Sequence, residues 1–285
     1  MRYGIELPNG GVCRDVQALA ELAHEAEEAG WDGVFLEDYI IWQGNQDTPT
    51  WDPWITLAAM ALRTKRIRLG TEVTALARRR PWKLARETVT LDHLSNGRVI
   101  LSVGLGVSSD IDLTHFGEVI DTRQRAKMLD EALKVLVGLW SGQPFSFQGQ
   151  YYQVREVKLW PPPVQTPRIP IWVGGGFPLK GPTRRATRWD GSCLYRHSDD
   201  GKWLDWTPAS VRQLKATIES ERTPSTPFDI VVGHSSWRRV ADWEQERAYI
   251  RSLAEAGATW WVEYVSFDTL EEMRAIIKYG PLRID

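Results

Sequence analysis

The sequence predicts an α/β fold, a (β/α)8 TIM barrel in which eight parallel strands are each followed by a helix. Short strand-like runs alternate with helical periodicities, eight such pairs can be counted, and 285 residues with 42% hydrophobic side chains suffice for one barrel. A doubly wound open sheet usually carries a GxGxxG turn after its first strand, and PNGGVCRD does not match it. We therefore predict one domain over residues 1–285.

Hydrophobic patterning places the strands and helices of this barrel. The predicted strands are 3–7, 33–38, 67–73, 98–104, 171–174, 191–195, 228–233 and 259–265. The first predicted helix is capped by Asp15 and closed by Gly30. The later predicted helices are 53–62, 81–94, 122–140, 182–189, 208–221, 242–256 and 268–278.

Residues 141–168 interrupt the alternation, because this stretch is rich in glycine, proline and aromatic side chains. We predict an excursion from the barrel that contains a hairpin. Its aromatic residues have two alternative roles, a lid over an apolar substrate or simple packing of the excursion onto the barrel. These residues are Phe145, Phe147, Tyr151, Tyr152 and Trp160.

Composition excludes several classes of function. A net charge of −2 gives no basic excess for nucleic acid or an anionic membrane surface, and no apolar run approaches the length of a membrane span. The N-terminus lacks the apolar region of a signal peptide, and Cys13 and Cys193 are far apart, so we expect a cytoplasmic protein. No HxH, HExxH or Cys/His spacing predicts a metal site.

In a barrel of this kind the active site forms at the carboxyl ends of the strands. At this end of the barrel, Asp38 is a candidate for orienting a substrate or a water, and the alternative is a hydrogen bond to loop backbone. Tyr39 is a candidate proton donor, and the alternative is a packing role for its ring. His197 is the preferred catalytic histidine because it follows a barrel strand. Glu6 and Glu37 also lie at strand ends, where an unpaired carboxylate is costly to bury. A functional or ion-pair role is open for both, and structural pairing is the preferred interpretation.

Three glycines, Gly174, Gly175 and Gly176, stand at the exit of the fifth strand, and Arg184 and Arg185 follow in the next helix. Glycine lets backbone N–H groups approach a ligand closely, and a helix start with nearby arginine attracts anions. The pattern predicts an anion site. A flexible loop with solvated arginines is the alternative.

A second basic run, Arg78-Arg79-Arg80, follows the third strand immediately before Pro81. Such a run usually forms a solvated surface. Because this one lies on the functional side of the barrel, one of its arginines is also a candidate for steering an anionic cofactor tail.

Three stretches, GWDGVFLEDY, RIRLGTEV through VGLG, and PRIPIWVGGG through RWDG, resemble the luciferase-like (bacterial luciferase) superfamily over most of residues 1–195. The resemblance implies a flavin-dependent oxidoreductase or monooxygenase of TIM-barrel fold. Its cofactor would be reduced FMN or the deazaflavin coenzyme F420, and its substrate a small organic molecule. It further implies a homodimer and a possible separate flavin reductase as partners.

The resemblance also implies the cofactor contacts. It places a non-prolyl cis peptide between Glu72 and Val73, which would support the cofactor ring, and it assigns the strand-five glycines to the cofactor phosphate. The implied contacts are Glu72, Val73, Gly104, Gly106, Gly174, Gly175, Gly176, Arg184 and Arg185. Two departures from the family pattern stand out. No glutamate follows the GLG of strand four, and Tyr39 replaces a frequent histidine.

Several functional alternatives remain open from sequence. With reduced FMN the chemistry would be oxygen activation, and with the deazaflavin it would be hydride transfer. A phosphosugar isomerase or aldolase on the same fold is a non-redox alternative, although no lysine lies at a predicted strand exit. A flavin-binding barrel without turnover is a third.

Overall fold

A computed structural model of the protein describes residues 1–198, 200–222, 226–235 and 242–284. It confirms the predicted barrel. The strands are β1 (Arg2–Leu7), β2 (Gly33–Leu36), β3 (Arg68–Ala75), β4 (Val99–Gly104), β5 (Phe145–Gln148), β6 (Gln153–Val157), β7 (Ile171–Phe177), β8 (Gly191–His197), β9 (Trp203–Leu204), β10 (Asp229–Val232) and β11 (Trp260–Tyr264).

All strands except β5, β6 and β9 form one parallel barrel. Neighbours run in the order β10, β11, β1, β2, β3, β4, β7, β8, and a further pairing between β8 and β10 closes the ring. The short strand β9, which sequence patterning did not predict, pairs antiparallel with β8 and extends the sheet at its mouth.

Helices surround this barrel. They are α1 (Val16–Glu28), α2 (Pro53–Arg63), α3 (Pro81–Leu94), α4 (Ile111–Thr114), α5 (Thr122–Trp140), α6 (Lys180–Ala186), α7 (Pro208–Glu221), α8 (Trp243–Ala256) and α9 (Leu270–Tyr279). The predicted bounds of α3, α5 and α7 are confirmed, and α4 was not predicted. Within the described ranges, none of these helices is both long and apolar enough to cross a lipid bilayer.

Three aromatic rings fill the interior of the barrel below its mouth. Phe35, Trp172 and Trp260 are fully buried, and the three pairs of ring centroids lie 5.2 to 6.0 Å apart. Small residues face these large ones: a β-carbon on Gly191 would lie 2.4 Å from the Trp172 ring. The barrel is therefore solid at this level, and open space can exist only above it.

The excursion contains the predicted hairpin, since β5 and β6 pair antiparallel. Phe145, Phe147 and Tyr151 pack against the hydrophobic core, and Tyr152 is buried. No residue of 141–168 lines the cavity at the barrel mouth. The structure thus supports the packing alternative for these four aromatics; Trp160 is exposed, and it does not line the cavity as a lid residue would.

Strand β7 is longer than predicted. Gly175, Gly176 and Phe177 continue the parallel register with β8, where Gly175 pairs with Leu194. The predicted strand ended at Gly174, but Gly175 and Gly176 also belong to β7; Gly174 and Gly175 line the cavity at the barrel mouth.

Candidate active site

A cavity of about 300 Å³ opens at the carboxyl ends of the barrel strands. Its acidic lining residues are Glu6, Glu37, Asp38, Glu72, Asp110 and Asp112, and its aromatic ones include Tyr39, Tyr195, Trp203, Trp206 and Tyr264. The floor is set by small apolar side chains above the aromatic interior, among them Val231 and Val262. Polar groups are thus concentrated around one apolar hollow, which is the usual composition of a ligand site.

Strand β3 is irregular where it reaches this cavity. The peptide bond between Glu72 and Val73 is cis, as the family resemblance implied. The pairing of β3 with β4 shifts register between Thr71 and Thr74, whose hydroxyl groups lie 2.8 Å apart. Both Glu72 and Val73 consequently line the cavity.

Glycines on two neighbouring strands accommodate Val73. A β-carbon on Gly104 of β4 would lie 2.7 Å from Val73 Cγ2, and one on Gly174 of β7 would lie 2.8 Å from Val73 Cγ1. Gly106 and Gly175 line the cavity with φ of +72° and +146°, values that favour glycine. Gly104 does not itself border the cavity. It leaves room for the side chain of Val73, which does.

Three glutamates, Glu6, Glu37 and Glu72, stand at the ends of the adjacent strands β1, β2 and β3. Burial raises the pKa of Glu37 to about 7, although hydrogen bonds from Trp42 and Tyr264 oppose the shift. Burial also raises the pKa of Glu72 to about 8. Burial and then the charges of Glu72 and Glu37 raise the pKa of Glu6 well above its usual value. These carboxyl groups can hold protons near neutral pH.

The expectation that Glu6 and Glu37 are paired with cationic side chains is wrong. Within the described residues neither forms an ion pair; Glu37 accepts hydrogen bonds from Trp42 Nε1 at 2.6 Å and the Tyr264 hydroxyl at 3.2 Å. Glu72 Oε2 is buried and has no hydrogen-bond partner among these residues. The surface that Glu6 and Glu72 retain opens into the cavity, which explains why they tolerate this position.

Asp38 has ample cationic partners. Arg78 Nη2 and Arg79 Nη2 lie 2.8 and 2.6 Å from its Oδ1, and both arginine side chains are largely buried. Burial favours the neutral acid, but Arg79 and Arg78 outweigh it, so the pKa of Asp38 is lowered. The prediction of a solvated basic surface is therefore wrong for these two arginines; only Arg80 is exposed.

The comparison with known proteins is decided by one match. Residues 2–267 match the profile of the luciferase-like monooxygenase family. The chain belongs to the luciferase-like monooxygenase family. Its resemblance in sequence is thereby confirmed across nearly the whole chain.

Curated relatives match this chain over about half of their own length. An F420-dependent glucose-6-phosphate dehydrogenase of Amycolatopsis mediterranei is 34% identical over 164 residues, which are 56% of this chain and 48% of that protein. An uncharacterized protein of Mycobacterium tuberculosis is 39% identical over 125 residues, 44% of this chain and 43% of that protein. The chain spans about half the length of the curated relatives it matches.

Solved structures share the family fold over the full chain. An F420-dependent secondary alcohol dehydrogenase, solved with an F420–acetone adduct, superposes with a TM-score of 0.76 at 19% identity, covering 99% of this chain and 98% of that one. A coenzyme F420 dependent tetrahydromethanopterin reductase from Methanopyrus kandleri gives 0.74 at 15% identity, covering 98% of each chain. At such identities the likeness shows the fold alone.

Two histidines, His197 and His234, lie near the carboxyl ends of barrel strands, and the structure shows which of them reaches the cavity. His197 does not line the cavity; its Nε2 would lie 2.6 Å from a β-carbon on Gly176. The imidazole on the cavity is that of His234, whose Nε2 lies 2.6 Å from Glu246 Oε1. Burial would lower the pKa of His234, but Glu246 and then Asp205 outweigh it, so the pKa is raised.

Arg184 and Arg185 were predicted at a helix start, but they lie in the last turn of α6, and neither borders the cavity. Arg185 is buried and pairs with Asp130 of α5, with its Nε 2.6 Å from Asp130 Oδ1. Arg184 is exposed and lines a separate groove between α6 and α7. The catalytic and cofactor roles assigned from sequence to His197, Arg184 and Arg185 stay predictions.

Two residues that sequence reasoning missed hold the loops around the cavity. Arg125 of α5 is 1% exposed, and its Nη1 donates to the carbonyl oxygens of Leu105 and Gly106 at 2.6 and 3.1 Å. Asp112 accepts hydrogen bonds from the backbone N–H groups of Ile40 and Ile41. No local pattern marks either residue, because each acts on a loop distant in sequence.

Proposed function

We propose that this protein is an oxidoreductase that binds coenzyme F420 against Val73 and uses it to oxidise or reduce a small organic substrate. The observation that carries the proposal is the seat of Val73 between Gly104 and Gly174 on the cavity floor of a family member. The preference for the deazaflavin over FMN is supported by the names of the relatives at 32–34% identity, which are F420-dependent dehydrogenases.

The residues around the cavity fit a flat ring system. Val73 offers an apolar surface, while Gly106, Gly174 and Gly175 leave room for close approach to the backbone. The buried, unpartnered Glu72 Oε2 offers one polar contact beside that surface. A bound deazaflavin supplies hydride transfer, and the protein supplies binding, orientation and exclusion of water.

The chain's own residues divide the work of handling protons. Glu37, with a pKa of about 7, can take up or release a proton at neutral pH, and Tyr264 and Trp42 hold it in place. Burial raises the pKa of Tyr39, so its phenol stays protonated and can donate to a substrate oxygen. Asp38 stays ionised between its arginines and acts here as a positioning residue for the loop after β2.

The phosphate-bearing part of the coenzyme is assigned to the exit of β7. Gly174 and Gly175 line the cavity there, and Arg184 stands exposed in the last turn of α6, with no ion pair among the described residues. Arg185 supports this region indirectly, because its pair with Asp130 fixes α6 against α5.

Parallel titrations of the purified protein with F420 and with FMN test the proposal. We expect F420 to bind with micromolar affinity and FMN to bind at least about tenfold more weakly, a difference of about 1.4 kcal/mol. Tighter binding of FMN would replace the deazaflavin assignment with the FMN alternative. Binding of neither coenzyme would overturn the proposed function.

A further inference from the structure

One side of the cavity is built by a segment that lies outside the parallel barrel strands. β9 and the residues directly after it bring Trp203, Leu204 and Trp206 to the cavity, beside Tyr195 of β8. We propose that these four residues, the apolar wall, bind an uncharged apolar ring of the substrate. The inference rests on the proposed function, since it names the substrate class of the same cavity.

The apolar wall is held in place by hydrogen bonds on both sides. In the antiparallel pairing of β9 with β8, Leu204 lies opposite Arg196. Beyond β9, the Tyr249 hydroxyl donates to the carbonyl oxygen of Trp206 at 2.8 Å. The wall is therefore part of the folded barrel mouth, and little ordering is needed when a ligand binds to it.

Three large side chains of the apolar wall remain accessible at the cavity. Tyr195, Trp203 and Leu204 are 41%, 47% and 37% exposed, and all three line the same concave space. Trp206, by contrast, is buried and stacks on Phe177 with ring centroids 5.4 Å apart. Neighbouring exposed apolar side chains around a hollow are typical of ligand sites, whereas single ones scattered over a surface are not.

The rings of Tyr195 and Trp203 form a flat face. Their centroids lie 4.9 Å apart, and their planes differ by 10°. Such a stack offers a broad apolar surface against which another ring can pack. Val107, in the loop after β4, also lines the cavity and is exposed, so apolar contact is available from a second element.

The apolar wall lies across the barrel from the groups that handle protons. β3, β4 and β7 separate β8 from β2 on one side of the ring, and β1, β11 and β10 separate them on the other. Glu37 and Tyr39 follow β2, and Val73, the proposed support of the coenzyme, is on β3. A substrate that spans the cavity can therefore present an oxygen to Glu37 and Tyr39 and its apolar ring to the wall.

The cations on the cavity lining offer little to a phosphorylated substrate. Among the described lining residues they are Arg78, Arg196 and His234. Arg78 is paired with Asp38, and His234 is held by two carboxylates. Arg196 donates to a backbone carbonyl of the segment after β9. Because phosphate is bound best by guanidinium groups that can turn two N–H donors to it, this lining disfavours a phosphorylated sugar.

Isothermal titration calorimetry with three molecules of matched shape tests this inference. Cyclohexylmethanol, glucose and glucose 6-phosphate each carry a six-membered ring with an exocyclic CH2–O group, and they differ in polarity and charge. They are titrated into the wild-type protein with F420 bound and again without it. We expect cyclohexylmethanol to bind at least about tenfold more tightly than glucose, and glucose 6-phosphate to bind least.

Substitutions in the apolar wall locate the ring. Trp203→Ala should weaken cyclohexylmethanol about tenfold, because it removes apolar surface that the ring covers, and should change F420 affinity by less than about twofold. Trp203→Phe should recover most of the loss, since an aromatic face remains. Trp160→Ala is the matched control, because it removes an exposed tryptophan that does not line the cavity, and it should change neither affinity.

Tightest binding of glucose 6-phosphate, or equal affinity for all three molecules, would overturn the inference, and the wild-type data decide this even if Trp203→Ala fails to fold. Undiminished cyclohexylmethanol binding in Trp203→Ala would also overturn it, because the ring would then bind elsewhere. If F420 binds but cyclohexylmethanol is not preferred, the inference alone fails. If neither F420 nor FMN binds, the proposed function fails independently of the cyclohexylmethanol result.

Discussion

Val73, which lines the cavity, packs closely against Gly104 of β4: a β-carbon on residue 104 would lie 2.7 Å from Cγ2 of Val73. Gly174 meets the other γ-methyl group of Val73 in the same way, at 2.8 Å. The irregular end of β3 therefore depends on the absence of side chains on β4 and β7. Coenzyme affinity should respond to these glycines even though Gly104 does not touch the cavity.

Gly104→Ala should weaken F420 binding about tenfold, because overpacking costs about 1–3 kcal/mol and displaces Val73 from its seat. The double variant Gly104→Ala/Val73→Ala should recover part of the affinity, since it removes the clashing methyl groups. Fluorescence titration with F420 measures both. Gly181→Ala is the matched control, because a β-carbon there would have no neighbour within 4 Å; equal losses in all three would contradict the pairing.

Glu37→Gln should remove the limb near pH 7 from the pH profile of coenzyme-dependent turnover and lower the rate about 10²- to 10⁴-fold. Tyr264→Phe gives a signed test. The Tyr264 hydroxyl favours the carboxylate of Glu37, so its loss should move the limb to higher pH. A limb that stays in place in both variants would show that Glu37 does not handle the proton.

Asp38→Asn should destabilise the fold by about 3–5 kcal/mol, because it leaves Arg78 and Arg79 as uncompensated, largely buried cations. Urea unfolding measures the free energy of unfolding, with Glu87→Gln in an exposed ion pair as the low-cost control. The folded-state pKa of Asp38 is depressed, so its contribution is present above its unfolded pKa and is lost as pH falls through the folded value. The wild type and Asp38→Asn should accordingly converge in stability in strong acid.

Arg125→Met should weaken coenzyme binding by freeing the Leu105–Gly106 loop, with little direct loss of contact to any ligand. The expected loss of coenzyme-binding free energy is about 1–3 kcal/mol, which is the range for leaving buried hydrogen-bond acceptors unsatisfied. Arg123→Met on the exposed side of α5 is the control. Unchanged F420 affinity in a folded Arg125→Met protein would exclude a positioning role.

Substitution of the two histidines near the mouth, His234 and His197, should affect kcat/KM to different extents. His234 lines the cavity and His197 does not, so His234→Asn should lower kcat/KM more than His197→Asn. The protonated form of His234 is stabilised by Glu246 and Asp205, and its contribution to stability should be lost as pH rises through its raised pKa. A larger kinetic effect of His197→Asn would support its original catalytic assignment.

The order and type of the barrel elements were predictable from the chain alone, because strand and helix periodicities and caps are local. The bounds of α3, α5 and α7 agree with the prediction to the residue, and the family resemblance located the Glu72–Val73 bond. Local patterning failed where partners decide the conformation. Gly175 and Gly176 look like a turn in isolation but pair with Leu194 and Tyr195 of β8.

Charge at the site was decided only by the tertiary structure. Sequence shows that Glu6, Glu37 and Asp38 lie at strand ends. It cannot show that Arg78 and Arg79 both pair with Asp38, or that the two glutamates have no ion pair among the described residues. The pKa of a carboxyl group depends on burial and on charges within a few ångströms, and these are set by residues distant along the chain. The sequence determined which end of the barrel carries the chemistry, and the fold determined which carboxyl groups are free to perform it.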